Sequence, residues 1–275
     1  MLQALGEGDL MAMHRTRVAS RRLREILPIL ELPSATAERL GRRLKTVTVE
    51  LGEVRELGVL ARLVAELQDS SGFDARVLRR IEHALSAAHA ASRERFFTRL
   101  PVKDIERLGR KLAKVGRALR DRKPSRGWQY AIDARLNRRA ADLVVALDAA
   151  GAIYLQERLH DVRIALKKFR YALEISGEAA GLKRSADSKS LKRHQDNLGH
   201  LHDRQILIDR IREMQSALAH DMAVWRKIDG VLVGLEDQCR RLHAKFVRQQ
   251  PEIRAICERA IRTAGNAPKA RRVAS

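Results

Sequence analysis

This chain contains the same helical hairpin twice, and that repeat constrains the fold more than any other feature. The segment HRTRVASRRLREIL begins at His14, and HDVRIALKKFRYAL begins at His160. Shifted by 146 positions (160 − 14), Arg17 falls on Arg163, Arg21 and Arg22 on Lys167 and Lys168, and Arg24 on Arg170. Val18 falls on Ile164, Leu23 on Phe169 and Leu27 on Leu173, so the apolar positions repeat with the basic ones. The copies resume as LKTVTVELGEVRE from Leu44 and LKRHQDNLGHLHD from Leu191, now shifted by 147 (191 − 44), with Leu51-Gly52 on Leu198-Gly199 and Glu56 on Asp203. The shift grows by one residue, which belongs to a connecting loop. Same-order matches in two separated segments imply two similar halves packed about a pseudo-twofold axis. The halves are expected at about 9–122 and 128–264 of a single 1–275 domain, with a flexible basic tail over 265–275. A helix precedes His160 but only a dozen residues precede His14. Either the first half lacks that helix or the chain starts late, and the sequence leaves both open.

The periodicity is helical throughout. Apolar residues are 45% of the 275, aromatic residues only 4%, and 6 prolines and 16 glycines punctuate the chain. This composition excludes wholesale disorder and favours helix over strand. Helices are predicted near 9–31, 35–68, 74–99, 103–121, 128–150, 155–177, 185–215, 220–249 and 252–264, with Pro28 kinking or ending the first and Pro251 separating the last two. No apolar run is long enough to span a bilayer, and the N-terminus lacks the basic-then-apolar order of a secretory signal. No membrane partner is therefore expected. Cys239 and Cys257 form neither a disulfide framework nor a C-x-x-C pair, which points to a reducing cytoplasm.

The repeated helix has two faces. At about 100° per residue, His14, Arg17, Arg21 and Arg24 share a quarter turn, opposite Leu23, Ile26, Leu27 and Leu30. His160, Arg163, Lys167 and Arg170 repeat the stripe opposite Val162, Phe169 and Leu173. Arg42 and Lys45 add cations from the next helix of the first copy, and Lys189 and Lys192 from that of the second. Exposed helix faces normally alternate signs, because like charges one turn apart destabilise a helix. A row of cations rising about 5.4 Å per turn suits a linear anion with closely repeated charge. Arg engages phosphate oxygens bidentately and Lys adds a point charge. Beside phosphates, His14 and His160 become pH-dependent donors. His200, His202 and Asp203 look like metal ligands at a glance, but side chains two apart on a helix diverge, so no metal site and no cofactor is expected. Glu56 and Asp203 are expected to orient neighbouring cations or to pair between helices.

The pattern H-x-x-R-x-x-x-[RK]-[RK]-x-R, followed by L-K-x(5)-L-G-x-x-x-D and repeated once, resembles the CHAD family, the conserved-histidine α-helical domain, over about residues 9 to 260. The resemblance implies an all-α fold of two four-helix-bundle halves around a basic central groove or pore that binds inorganic polyphosphate. It implies that His14, Arg17, Arg21, Arg24, His160, Arg163, Lys167 and Arg170 hold the anion, helped by Arg42, Lys45, Lys189 and Lys192. The first copy departs from the pattern, with Arg55-Glu56 where the second has His202-Asp203. The E-x-E-x-K signature of the CYTH domain that some members carry is absent, so the domain is expected to stand alone.

The balance of 55 Lys and Arg against 34 Asp and Glu gives a formal charge of +21, which attracts polyanions of any kind. No phosphate-cradling, nucleophile-elbow, metalloprotease or dinucleotide-binding motif is present. Phosphoryl transfer needs clustered carboxylates and a metal, whereas the repeated positions offer cations. The expectation is thus a non-catalytic polyphosphate-binding module of the cytoplasm that targets or organises polyphosphate granules. Sequence-nonspecific, weak nucleic-acid binding is the alternative; the rows lack interleaved aromatic residues for base stacking. A hydrolase accessory role ranks third.

Overall fold

A computed structural model of the chain describes residues 9–69, 72–120, 127–182, 185–216 and 222–266. Among these residues every regular element is helical, as the composition predicts. α1 (Leu10–Ile26) is followed by a 3-10 turn (Leu27–Ile29), then by α2 (Ser34–Gln68), α3 (Ala75–Arg99) and α4 (Val102–Arg120). α5 (Gly127–Ala150), α6 (Gln156–Ala179), α7 (Ala186–Ser216) and α8 (Met222–Asn266) complete the chain. The expected tail with Lys269, Arg271 and Arg272 lies outside the described residues, as do the breaks at Ser70-Ser71 and Pro124.

Local chemistry sets most helix ends. The Asp9 carboxylate accepts from the backbone N–H of Met11 at 2.6 Å and of Ala12 at 3.1 Å, satisfying donors at the start of α1. Asp74 caps α3 in the same way through Arg76 and Val77, while its second oxygen accepts from Lys227 at 2.9 Å. Pro28 ends α1 as predicted, because its ring cannot donate to the preceding turn. α6 stops in a Schellman motif: Leu182 N–H reaches the Gly177 carbonyl at 2.9 Å and Gly181 N–H the Glu178 carbonyl at 3.1 Å. Gly181 takes φ +69°, a conformation in which a side chain is strained.

Pro251 does not break the last helix. α8 runs through it without interruption. A proline inside a helix disfavours it by about 3 kcal/mol, yet Phe246 before it and Ile253, Ile256, Cys257 and Ala260 after it enter one apolar cluster. Burying that continuous face outweighs the lost backbone bond, and exposed Pro251 faces away from it.

Two compact units result. The first comprises residues 1–124 with 206–234, the second 125–205 with 235–275. The segment 206–234 therefore packs with the first unit, although the repeat alone assigns it to the second half. In the first unit Ala12 and Met13 of α1, Leu40 to Val54 of α2, Phe96 of α3, and Ile105 and Leu108 of α4 form one core. Gly234 also belongs there: a Cβ at this position would lie 2.5 Å from the Phe73 ring, so the ring packs against bare backbone. In the second unit the core draws on α5 (Leu136 to Ala150), α6 (Leu159 to Ala172), α7 (Leu191, Leu198, Leu201) and α8 (Phe246 to Ala260).

Candidate functional site

The repeated hairpin is built by burial on one side and charge on the other. In the first unit Ser20 of α1 and Thr48 of α2 hydrogen bond through their hydroxyls at 2.8 Å in the buried seam. Each hydroxyl is also held by its own helix, Ser20 to the Arg17 carbonyl and Thr48 to that of Leu44. This pair fixes the register of two antiparallel helices. It sets Arg17 beside Gly52 and His14 beside Arg55. A Cβ on Gly52 would lie 3.9 Å from Arg17 Nη2, so the guanidinium rests on the bare face that the Leu-Gly pair provides.

His14, Arg24 and Lys45 are exposed, and Arg17 and Arg21 are half-buried. Arg42 is exposed with Glu38 at 3.4 Å one turn before it. Arg24 and Lys45 have no acidic partner among the described residues. Partial burial, reinforced by Arg55, Arg17, Arg62 and Arg21, holds the His14 imidazole below its ordinary value of 6.5. Arg55 and Arg62 thus belong to the same positive field. Sequence reasoning treated Arg55 only as a departure from the pattern and passed over Arg62. The signal was present: Lys45, Thr48, Gly52, Arg55 and Arg62 follow the three- and four-residue spacing of one helix edge.

The second unit repeats the head of the row and changes its foot. His160 is exposed and Arg163 half-buried. The His160 imidazole is likewise held low, by partial burial and then by Arg163 and Lys167, with Asp161 opposing. Its ring lies 5.2 Å from that of His202, which occupies the place of Arg55 in the repeat. His160 is the fifth residue of α6, as His14 is of α1. Both rows therefore start near a helix N-terminus, where the backbone dipole also favours an anion. Lys189 and Lys192 on α7 are exposed, with Lys192 held by Asp196 at 2.7 Å.

Lys167 and Arg170 do not stand out from the surface as the helical stripe predicts; both are buried. Arg170 Nη1 donates to Glu174 at 2.5 Å and Nε to Gln195 at 2.9 Å, and its guanidinium lies 4.7 Å from the Tyr171 ring centre. Ser188 also donates to Glu174, at 3.1 Å. Arg170 is thus a structural cation, whereas its counterpart Arg24 is open to solvent. The cause is one turn away: position 174 is Glu, and the equivalent position 28 is Pro. Among the described residues no group of three or more His, Cys, Asp or Glu side chains is placed to hold a metal ion.

The family profile described as CHAD domain matches residues 3–212. The crystal structure of the CHAD domain from the plant Ricinus communis is similar over 93% of this chain and 81% of that chain, with a TM-score of 0.55 at 22% identity. That likeness extends to the fold. No curated protein sequence matches the chain.

Proposed function

The chain belongs to the CHAD domain family, and from that premise we propose that it binds inorganic polyphosphate without cleaving it and so associates with polyphosphate granules. One observation carries the reading. At the head of each repeated hairpin an imidazole stands among guanidinium and ammonium groups, and burial together with those cations holds it low, so the cations set a positive local field. A surface that keeps like charges this close is relieved when a polyanion enters. His14, Arg17, Arg21, Arg24, Lys45, Arg55 and Arg62 serve in the first unit. His160, Arg163 and His202 serve in the second, with Lys167 below them and Lys189 and Lys192 from α7. Arg42 contributes at the edge of the first row, its charge shared with Glu38.

The geometry suits binding more than turnover. Guanidiniums in a row match successive phosphoryl groups, and they supply no nucleophile and no general base. The test is titration with polyphosphate of defined chain length at two salt concentrations, with orthophosphate release followed in the presence of Mg²⁺. The expected result is saturable binding that weakens steeply with salt and releases no orthophosphate, by the counterion-release logic of other polyanions. Absence of binding overturns the reading, and metal-dependent release replaces it with an enzymatic one.

A further inference from the structure

α4 carries a third cation row that lies outside the repeat and outside the rows described above. Lys103, Arg107, Arg110, Lys114 and Arg117 recur at four- and three-residue intervals, so they lie within about 40° of one direction on the helix. All five are exposed, and exposed Lys111 and Arg120 flank them. Two are neutralised near the start of the helix, Arg107 by Asp104 at 3.2 Å and Arg110 by Glu106 at 4.0 Å. From Arg107 to Arg120 there is no acidic residue. Lys111, Lys114, Arg117 and Arg120 have no acidic partner among the described residues. Favourable interaction with the C-terminal end of the helix dipole accounts for Arg117 and Arg120 in the last turn, but not for Lys111 and Lys114.

The opposite face decides what kind of polyanion fits. Ile105 and Leu108 are buried in the core of the first unit, and Leu112 and Val115 pack against the same cluster. Val102 and Leu119 are half-buried, so no bulky apolar side chain of α4 is exposed to enter a bilayer, which is what anchors an interfacial amphipathic helix. The row is also straight and carried by one helix. A thin flexible chain loses conformational freedom on such a face and gains contacts from one direction only. A stiff duplex has little such freedom to lose and presents its phosphates along a straight path. From Lys103 to Arg117 the row is about 21 Å long, which spans about six base pairs at ~3.4 Å each. α4 contains no Asn, Gln, Ser or Thr that reads base edges.

We propose that the outer face of α4 is a sequence-nonspecific landing surface for double-stranded nucleic acid, contacting phosphates through Lys103, Arg107, Arg110, Lys111, Lys114, Arg117 and Arg120. Its side chains are not those of the His-headed rows, so the protein uses two sets of cations for two polyanions.

The test compares the whole chain with a variant carrying Lys111→Gln, Lys114→Gln, Arg117→Gln and Arg120→Gln. A charge-matched control carries Arg39→Gln, Arg79→Gln, Arg138→Gln and Arg226→Gln, spread over four other helices. Binding of a labelled mixed-sequence DNA duplex of about two turns is followed across salt concentrations. The α4 variant is expected to lose about tenfold or more in duplex affinity and to reduce the log–log salt slope by about 3.6, or 0.9 for each of four lost phosphate contacts. Its polyphosphate affinity and melting temperature are expected to stay near wild type, and the control is expected to bind duplex almost normally. The proposal is overturned if the α4 variant binds duplex like wild type, or if the control loses as much, which assigns the effect to bulk charge. It is equally overturned if polyphosphate affinity falls as far as duplex affinity. Loss of capture on phosphatidylglycerol vesicles with duplex binding intact makes the partner a lipid surface instead. Failure here with normal polyphosphate binding leaves the proposed function standing.

Discussion

His14 and His160 sit among cations, and burial and those cations both disfavour the charged imidazole. Because both folded-state values lie below the ordinary 6.5, the free folded protein binds fewer protons than the unfolded chain. Stability from these two groups is complete above pH 6.5 and declines as the pH falls through that value. A bound polyanion reverses the preference, so polyphosphate binding should take up protons and tighten as the pH drops from neutral. Titration calorimetry in buffers of different ionisation enthalpy reads the uptake, and the double variant His14→Gln, His160→Gln should abolish it. Two equivalent arginines make the second residue-scale prediction. Arg170→Ala removes the cation from buried Glu174, which keeps its bond from Ser188, and should destabilise the protein by about 3 kcal/mol, while Arg24→Ala should change stability by no more than about 0.5 kcal/mol and weaken polyphosphate binding. Denaturant melts of both variants measure the difference, and equal losses would show that Arg170 is not the structural cation described. The stripe that placed Arg170 beside Arg163 was legible in the sequence. Its burial was not, because Gln195, which accepts from it, and Ser188, which donates to its partner Glu174, come from another helix.

Most element boundaries follow from caps and prolines near in sequence, which is why helix positions were legible to within a few residues. α8 is the exception. Proline acts locally and burial acts through neighbours, so the apolar face shared by Phe246 and Ile253 prevailed over the break expected at Pro251. Pro251→Ala should therefore restore a backbone hydrogen bond and stabilise the protein by about 1–3 kcal/mol; a lowered melting temperature would contradict this account of α8. Gly234→Ala should do the opposite. Its Cβ needs the space of the Phe73 ring, and displacing that ring should destabilise the first unit by about 1–3 kcal/mol. The hairpin register was also beyond reach of the repeat alone. The Ser20–Thr48 contact fixes it, with Arg55 beside His14 and Gly52 facing Arg17.

At the scale of the whole molecule a formal charge of +21 guarantees attraction to polyanions, so attraction by itself identifies no partner. The all-helical class and the duplicated hairpin were legible because both are written in periodicities that one chain displays. The division into compact units was not, since residues 206–234 join the first unit through packing. Whether the His-headed rows hold polyphosphate is decided by titrating polyphosphate of defined length into wild type and into the triple variant Arg17→Gln, Arg21→Gln, Arg163→Gln. With an unchanged melting temperature, the account expects affinity to fall by about tenfold or more and the salt dependence to become shallower. Undiminished affinity and an unchanged salt slope in that folded variant would contradict it.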